Sequence, residues 1–252
     1  MTENEALLAY TLRLGDNALI TAQRMVERVA GEPELEEELA NANFALDYLG
    51  QARMFYSYAG ELEGEGRTED DFAYLRDGQE FRNLLLLEQP NGHFGDSIVR
   101  QFLFESFYLL QLEALAACGD HRLAEIAVRA GKEIRYHLRH AGHWLVRLGD
   151  GSEESHGRVQ RSLDDVWRFT SEFFAADDVD VQIKEAINGP DLGRIAAAWR
   201  KQVAVVLEEA TLSTPEDVSI AKGGRQGHHS EHLGYLIAEM QHLQRANPGA
   251  TW

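Results

Sequence analysis

The stretch from Gly131 to Leu148, GKEIRYHLRHAGHWLVRL, leaves this chain little choice of fold. Laid on a helix at about 100° per residue, Leu123, Ala127, Ala130, Ile134, Leu138, Ala141, Leu145 and Leu148 gather into one apolar arc, with His137 inside it. Such an arc has to be buried against other helices, and burying it carries a histidine into the core.

Inward-facing polar residues on a helical bundle are the way di-iron carboxylate proteins of the ferritin-like type hold metal. They take a Glu from each of two helices and a Glu-x-x-His from each of the other two. Three residues before His137 stands Ile134 in place of the carboxylate, and Glu133 is about 100° further round the helix, at the edge of the arc. The helix reads as a metal-site helix that has lost half its motif.

The other helices follow the same pattern. The first is expected from about Glu5 to Val29, with Asp16 in the middle of its apolar face. Gly31 and Pro33 mark a short break, with Pro33 placed to open the second helix and make the two antiparallel neighbours. That second helix, about Glu34 to Ala59, is apolar on two sides: Leu35, Leu39, Leu46 and Leu49 on one, and Phe44, Tyr48, Phe55 and Tyr58 on the other, with Gln51 among the latter. It is expected to be buried all round, either deep in the bundle or with one face against another subunit. A long strap then runs from Asp71 to Gln89, with one or two short helices and a turn at Gln89-Pro90-Asn91-Gly92.

The third helix, about Asp96 to Ala117, has Glu105 at the centre of its apolar face, and the fourth contains His137. Further helices are expected over Glu153 to Ala176, Asp191 to Leu212 and Ser230 to Arg245, with a glycine-rich basic loop at Lys222 to His229. The fold class expected is all-α, a ferritin-like four-helix bundle with additional C-terminal helices. It forms one domain over 1–252, the core bundle at about 5–148 and the additional helices at about 153–246.

Composition narrows the function classes. The formal charge of −18 repels nucleic acid and anionic membranes, so neither is expected as a partner, and an anionic ligand would need a local cluster of Arg or Lys. A single cysteine, Cys118, forbids an internal disulfide and suits a reducing compartment. With no secretory signal and no apolar run long enough to span a bilayer, the expectation is a cytoplasmic protein.

Asp16, Gln51, Glu105 and His137 thus form one inward polar residue on each of the first four helices. Buried carboxylates need a metal or a hydrogen-bond network, with protonation or an arginine such as Arg13 or Arg53 as the means of neutralising them. Other candidates are weaker. Glu239 and His242 form a Glu-x-x-His on a polar face, and Glu153 and His156 form one near a helix start. His228, His229 and His232 flank Ser230, a plausible helix cap, which is a plainer role for that loop than metal binding. His140 and His143 lie at or beyond the arc edge.

Six segments now carry a resemblance: YTLRLGDNALI (10–20), LDYLGQAR (46–53), FRNLLLLEQPNGHFGD (81–96), KEIRYHLRH (132–140), VWRFT (166–170) and HSEHLGYLIAEMQHLQR (229–245). In order, and over nearly the whole chain, they resemble the C-subunit family of the bacterial phenylacetyl-CoA 1,2-epoxidases. The resemblance implies a ferritin-like, structural, non-catalytic subunit paired with a homologous catalytic A subunit that holds the di-iron centre. A small B subunit, a reductase carrying FAD and 2Fe-2S and fed by NADPH, and phenylacetyl-CoA reaching the complex are implied with it.

In the catalytic relatives the second helix has Glu-Leu-Gly-His where this chain has Tyr48-Leu49-Gly50-Gln51. The vestigial positions are therefore Asp16, Tyr48, Gln51, Glu105, Ile134 and His137, with no metal, cofactor or catalytic residue expected in this chain. The rival reading is a working di-iron monooxygenase that uses Asp16, Glu105, Glu133 and His137. A third gives Phe81, Arg82 and Asn83 on the strap a part in shaping a substrate entrance.

Overall fold

The computed structural model describes residues 1–216 and 220–250. Among these residues are nine α-helices and no strand, the all-α class expected from the sequence. The helices are α1 (Glu3–Val26), α2 (Leu35–Glu63), α3 (Glu69–Tyr74), α4 (Phe94–Leu115), α5 (His121–Gly149), α6 (Glu153–Trp167), α7 (Asp178–Ile187), α8 (Leu192–Glu209) and α9 (Glu231–Ala246). No helix is long and apolar enough to cross a membrane, among the described residues. The chain divides into two compact units, Asn91–Lys222 and, flanking it in sequence, Met1–Pro90 with the described part of Gly223–Trp252. The last helix, expected among the additional C-terminal ones, thus belongs with the first two.

In the first unit, α1 begins where Thr2 accepts the N–H of Glu5 and the Glu5 carboxylate accepts the N–H of Thr2, satisfying two donors that a helix start leaves open. α2 starts at Leu35, two residues beyond Pro33, and ends at Gly64, whose φ of 74° suits a residue without Cβ. Asn4 Nδ2 donates to Leu62 O and Asn41 Nδ2 to Met25 O, so each helix begins beside the end of the other and the pair is antiparallel as expected. The pair packs closely at Gly15, where a Cβ would stand 2.5 Å from Cε1 of Tyr56.

Within this chain α2 is covered on one face only, so of the two expected arrangements the deep central position is the one that does not hold. Phe44, Tyr48, Phe55 and Tyr58 are in the core, but Leu35, Leu39 and Leu46 are 66%, 57% and 64% exposed. Each of these leucines forgoes about 1.5–3 kcal/mol that full burial would contribute, so the row is an apolar stripe that the chain itself leaves uncovered.

In the second unit, α4 and α5 run antiparallel: Phe94 meets Trp144 edge to face at 5.0 Å, and Glu113 pairs with Arg135 at 2.8 Å. The expected helix over 153–176 is shorter, because α6 ends at Trp167 and a 3-10 turn, Thr170–Phe174, follows. That turn carries Phe173 and Phe174 into a cluster with Phe107 and Trp199, and Trp199 Nε1 donates to Leu103 O at 3.1 Å. The helices expected from the sequence do not include α7. Asp177 opens it by accepting the N–H groups of Val179 and Asp180, and Asn188 ends it at φ 53°.

Candidate functional site

Each unit buries a polar centre at the positions the sequence singled out. Asp16, Tyr48 and Gln51 in the first unit, and Glu105, Ile134 and His137 in the second, are all inaccessible to solvent.

In the first unit both oxygens of Asp16 are taken. Oδ1 accepts from Tyr56 Oη at 2.6 Å and from Arg76, while Oδ2 accepts from Arg76 Nη1 at 3.2 Å and from the Arg82 N–H at 2.7 Å. A carboxylate has about four lone-pair sites, and here four donors occupy them. Arg76 neutralises Asp16, and Arg53 does not, being on the surface 3.1 Å from Glu69. Burial raises the Tyr56 phenol well above its ordinary value, and the charge of Asp16 adds to this. Burial works against the charge on Arg76, but Asp16, Tyr56 and Glu80 outweigh it and hold the guanidinium protonated more firmly than usual. Arg76 also lies over the Phe81 ring, 4.3 Å from its centroid.

Next to this centre the strap is stitched to the loop before α9. His229 places Nδ1 2.8 Å from Glu88 Oε2 and Nε2 2.9 Å from Phe81 O, so both ring nitrogens face acceptors, the arrangement that suits an imidazolium. Burial pulls the His229 pKa down, and the hydrogen bonds to Glu88 and Phe81 together with the Glu88 charge overcome it, leaving it above the ordinary value. Glu88 also accepts the Ser230 N–H at 2.6 Å and Asn83 Nδ2 at 3.0 Å. Ser230 precedes α9 but makes no side-chain cap hydrogen bond, contrary to expectation; its contribution is the backbone N–H given to Glu88.

The trio proposed from sequence for substrate contact lies in this fabric. Phe81 and Asn83 are fully buried, and half-buried Arg82 donates through Nη1 to Phe81 O at 2.7 Å. The loop packs so tightly that a Cβ at Gly224 would fall 2.1 Å from Asn83 O.

In the second unit the structure brings together Glu105 of α4 and His137 of α5, with Nδ1 and Oε1 3.7 Å apart. That distance exceeds a hydrogen bond but is within Coulombic reach. Ile134 fills the position where a Glu-x-x-His helix has its carboxylate, and Glu133 points to the α5 surface, 3.6 Å from Arg129. Glu239 and His242 are exposed on α9 as expected, and His156 Nδ1 lies 2.8 Å from Gly149 O beside the start of α6.

Neither set of residues, taken by itself, fits a di-iron centre. Asp16 has no lone pair left to give and its neighbours in the set are a tyrosine and an amide, while in the second unit an isoleucine stands three residues before His137. Among the described residues no three His, Cys, Asp or Glu side chains are grouped to hold a metal ion. Sequence reasoning found Asp16 but missed Tyr56 and Arg76 as its partners and the Glu88–His229 pair nearby, because Arg76 and Glu88 lie on a strap whose path helical periodicity does not give.

Comparison with known proteins agrees with the six segments. Over 98% of its length and 99% of the relative's, the chain is 48% identical to the C subunit of the 1,2-phenylacetyl-CoA epoxidase of Escherichia coli (strain K12). The family described as Phenylacetic acid catabolic protein matches residues 1–252. With that match over its full length, the chain belongs to the Phenylacetic acid catabolic protein family.

Proposed function

We propose that this chain is a non-catalytic, structural subunit of a phenylacetyl-CoA 1,2-epoxidase in aerobic phenylacetate breakdown, working in the cytoplasm and holding a homologous di-iron A subunit in place. The partner supplies the oxygen chemistry; a B subunit and a reductase with NADPH, FAD and 2Fe-2S complete the system. The name of the 48% identical relative supports the complex. One observation carries the non-catalytic role: the carboxylate of Asp16 is saturated by Arg76, Tyr56 and the Arg82 N–H. The rival reading requires Asp16 and Glu133 as iron ligands, which would mean stripping one from Arg76 and turning the other inward from the surface.

The test is to express the chain alone in iron-replete cells and with the A-type homologue, then measure iron content and activity. Near-zero iron in a folded chain, together with an A-type partner that is soluble and active only when co-purified with it, supports the scaffold. Close to two irons per chain, or a partner fully active alone, overturns it. In the assembled enzyme, Arg82→Ala with unchanged substrate affinity would remove the strap from any role at the substrate entrance.

A further inference from the structure

The second unit carries an open groove of about 1020 Å³ between α5 and α8, floored by α4. Phe102, Leu109, Val146 and Val205 give it apolar walls, and Arg139, Arg147 and Lys201 stand along it, with Glu209 as the one acid in its lining. In a chain of formal charge −18 this is a cationic place. Arg139 and Arg147 lie over the Tyr136 and Trp144 rings, 5.3 and 4.7 Å from their centroids. Among the described residues none of the three cations has a carboxylate partner.

The exposed face of α2 in the first unit has the opposite character. Leu35, Leu39 and Leu46 form its apolar row, and Glu34, Glu36 and Glu38 accompany the row without a cation partner among the described residues. Leu35 to Leu46 spans about 16 Å at 1.5 Å per residue, and so does the α8 wall from Ala198 to Glu209. An amphipathic helix laid in an apolar groove is a recurring recognition mode, and here the unpaired charges on the two sides are opposite in sign.

We propose that these surfaces are the two halves of one interface between copies of this chain: the acidic leucine row of α2 in one copy lies in the cationic groove of a second copy. One sequence supplies both halves, so no other partner is needed.

The test is sedimentation of the full chain over a concentration series, with Leu39→Glu and Val205→Glu, both at exposed positions, and circular dichroism to confirm folding. The expected result is self-association by the unmodified chain, weakened at least about ten-fold by either variant. A mixture of the two variants should associate more tightly than either alone, since one retains the groove and the other the row. Glu36→Lys combined with Lys201→Glu should recover part of what each loses singly. A chain that stays monomeric throughout, or joins only a different protein of the complex, overturns the proposal. So do variants that associate like the unmodified chain, or a mixture no tighter than its components.

Discussion

The two buried centres show two ways for a carboxylate to live inside a helical unit. In the first, Asp16 is held by a guanidinium, a phenol and a backbone N–H, a closed network in which every oxygen has its donors. In the second, Glu105 faces His137 across 3.7 Å, with Ile134 filling the position beside them. The first centre is an ion pair, while the second holds two residues of metal-ligand type with an isoleucine beside them. A buried acid in a helical unit therefore need not be accommodated by one route: an arginine can hold it, or it can face a histidine with an aliphatic side chain beside them.

Arg76→Met is expected to separate the two centres most. It leaves Asp16 charged and buried, at a cost of about 3–5 kcal/mol, read as a fall in the urea midpoint. Asp16→Asn added to Arg76→Met should return part of that loss, because the stranded charge goes with it. Glu105→Gln keeps the shape of the second centre and should cost less, about 1–3 kcal/mol. Equal losses from Arg76→Met and Glu105→Gln would break the contrast. Gly15→Ala sharpens it from the packing side: a methyl pressed against the Tyr56 ring should cost about 1–3 kcal/mol and disturb the phenol that donates to Asp16, with Gly50→Ala, which meets nothing within 4 Å, as the control.

The smallest effect is a pH dependence. His229 has its pKa raised in the folded chain, so its contribution is complete below the unfolded value of about 6.5 and is lost as pH rises through the higher folded value. Unfolding midpoints of the unmodified chain should fall across that window relative to those of His229→Gln. Parallel curves would mean that His229 is not charged in the folded state.

Much of this could be read from periodicity. Asp16, Gln51, Glu105 and His137 fall on apolar faces at helical spacing, and all four are buried. The antiparallel α1 and α2 followed from the short break at Gly31 and Pro33. What periodicity could not supply was the irregular chain: Arg76, Phe81 and Glu88 lie on a strap whose path is decided by long-range partners, one of them His229. The Leu35, Leu39 and Leu46 row shows the complementary limit. Its apolar character was plain, but an apolar face satisfied within the chain and one turned to the surface have the same pattern. The ten residues of α7 were too few to stand out, although Asp177 at its start was a legible cap.

The stitch between Glu88 and His229 has a consequence for how the protein is made. A ribosome delivers Glu88 first, then everything from Asn91 to Lys222, and only afterwards His229, so at about 5–20 residues per second the nascent first unit waits roughly 7 to 28 seconds for its closing segment. During that wait the second unit is emerging whole. The part of the chain synthesised first is therefore the part completed last, and until then Glu88 lacks the imidazole that faces it in the finished fold.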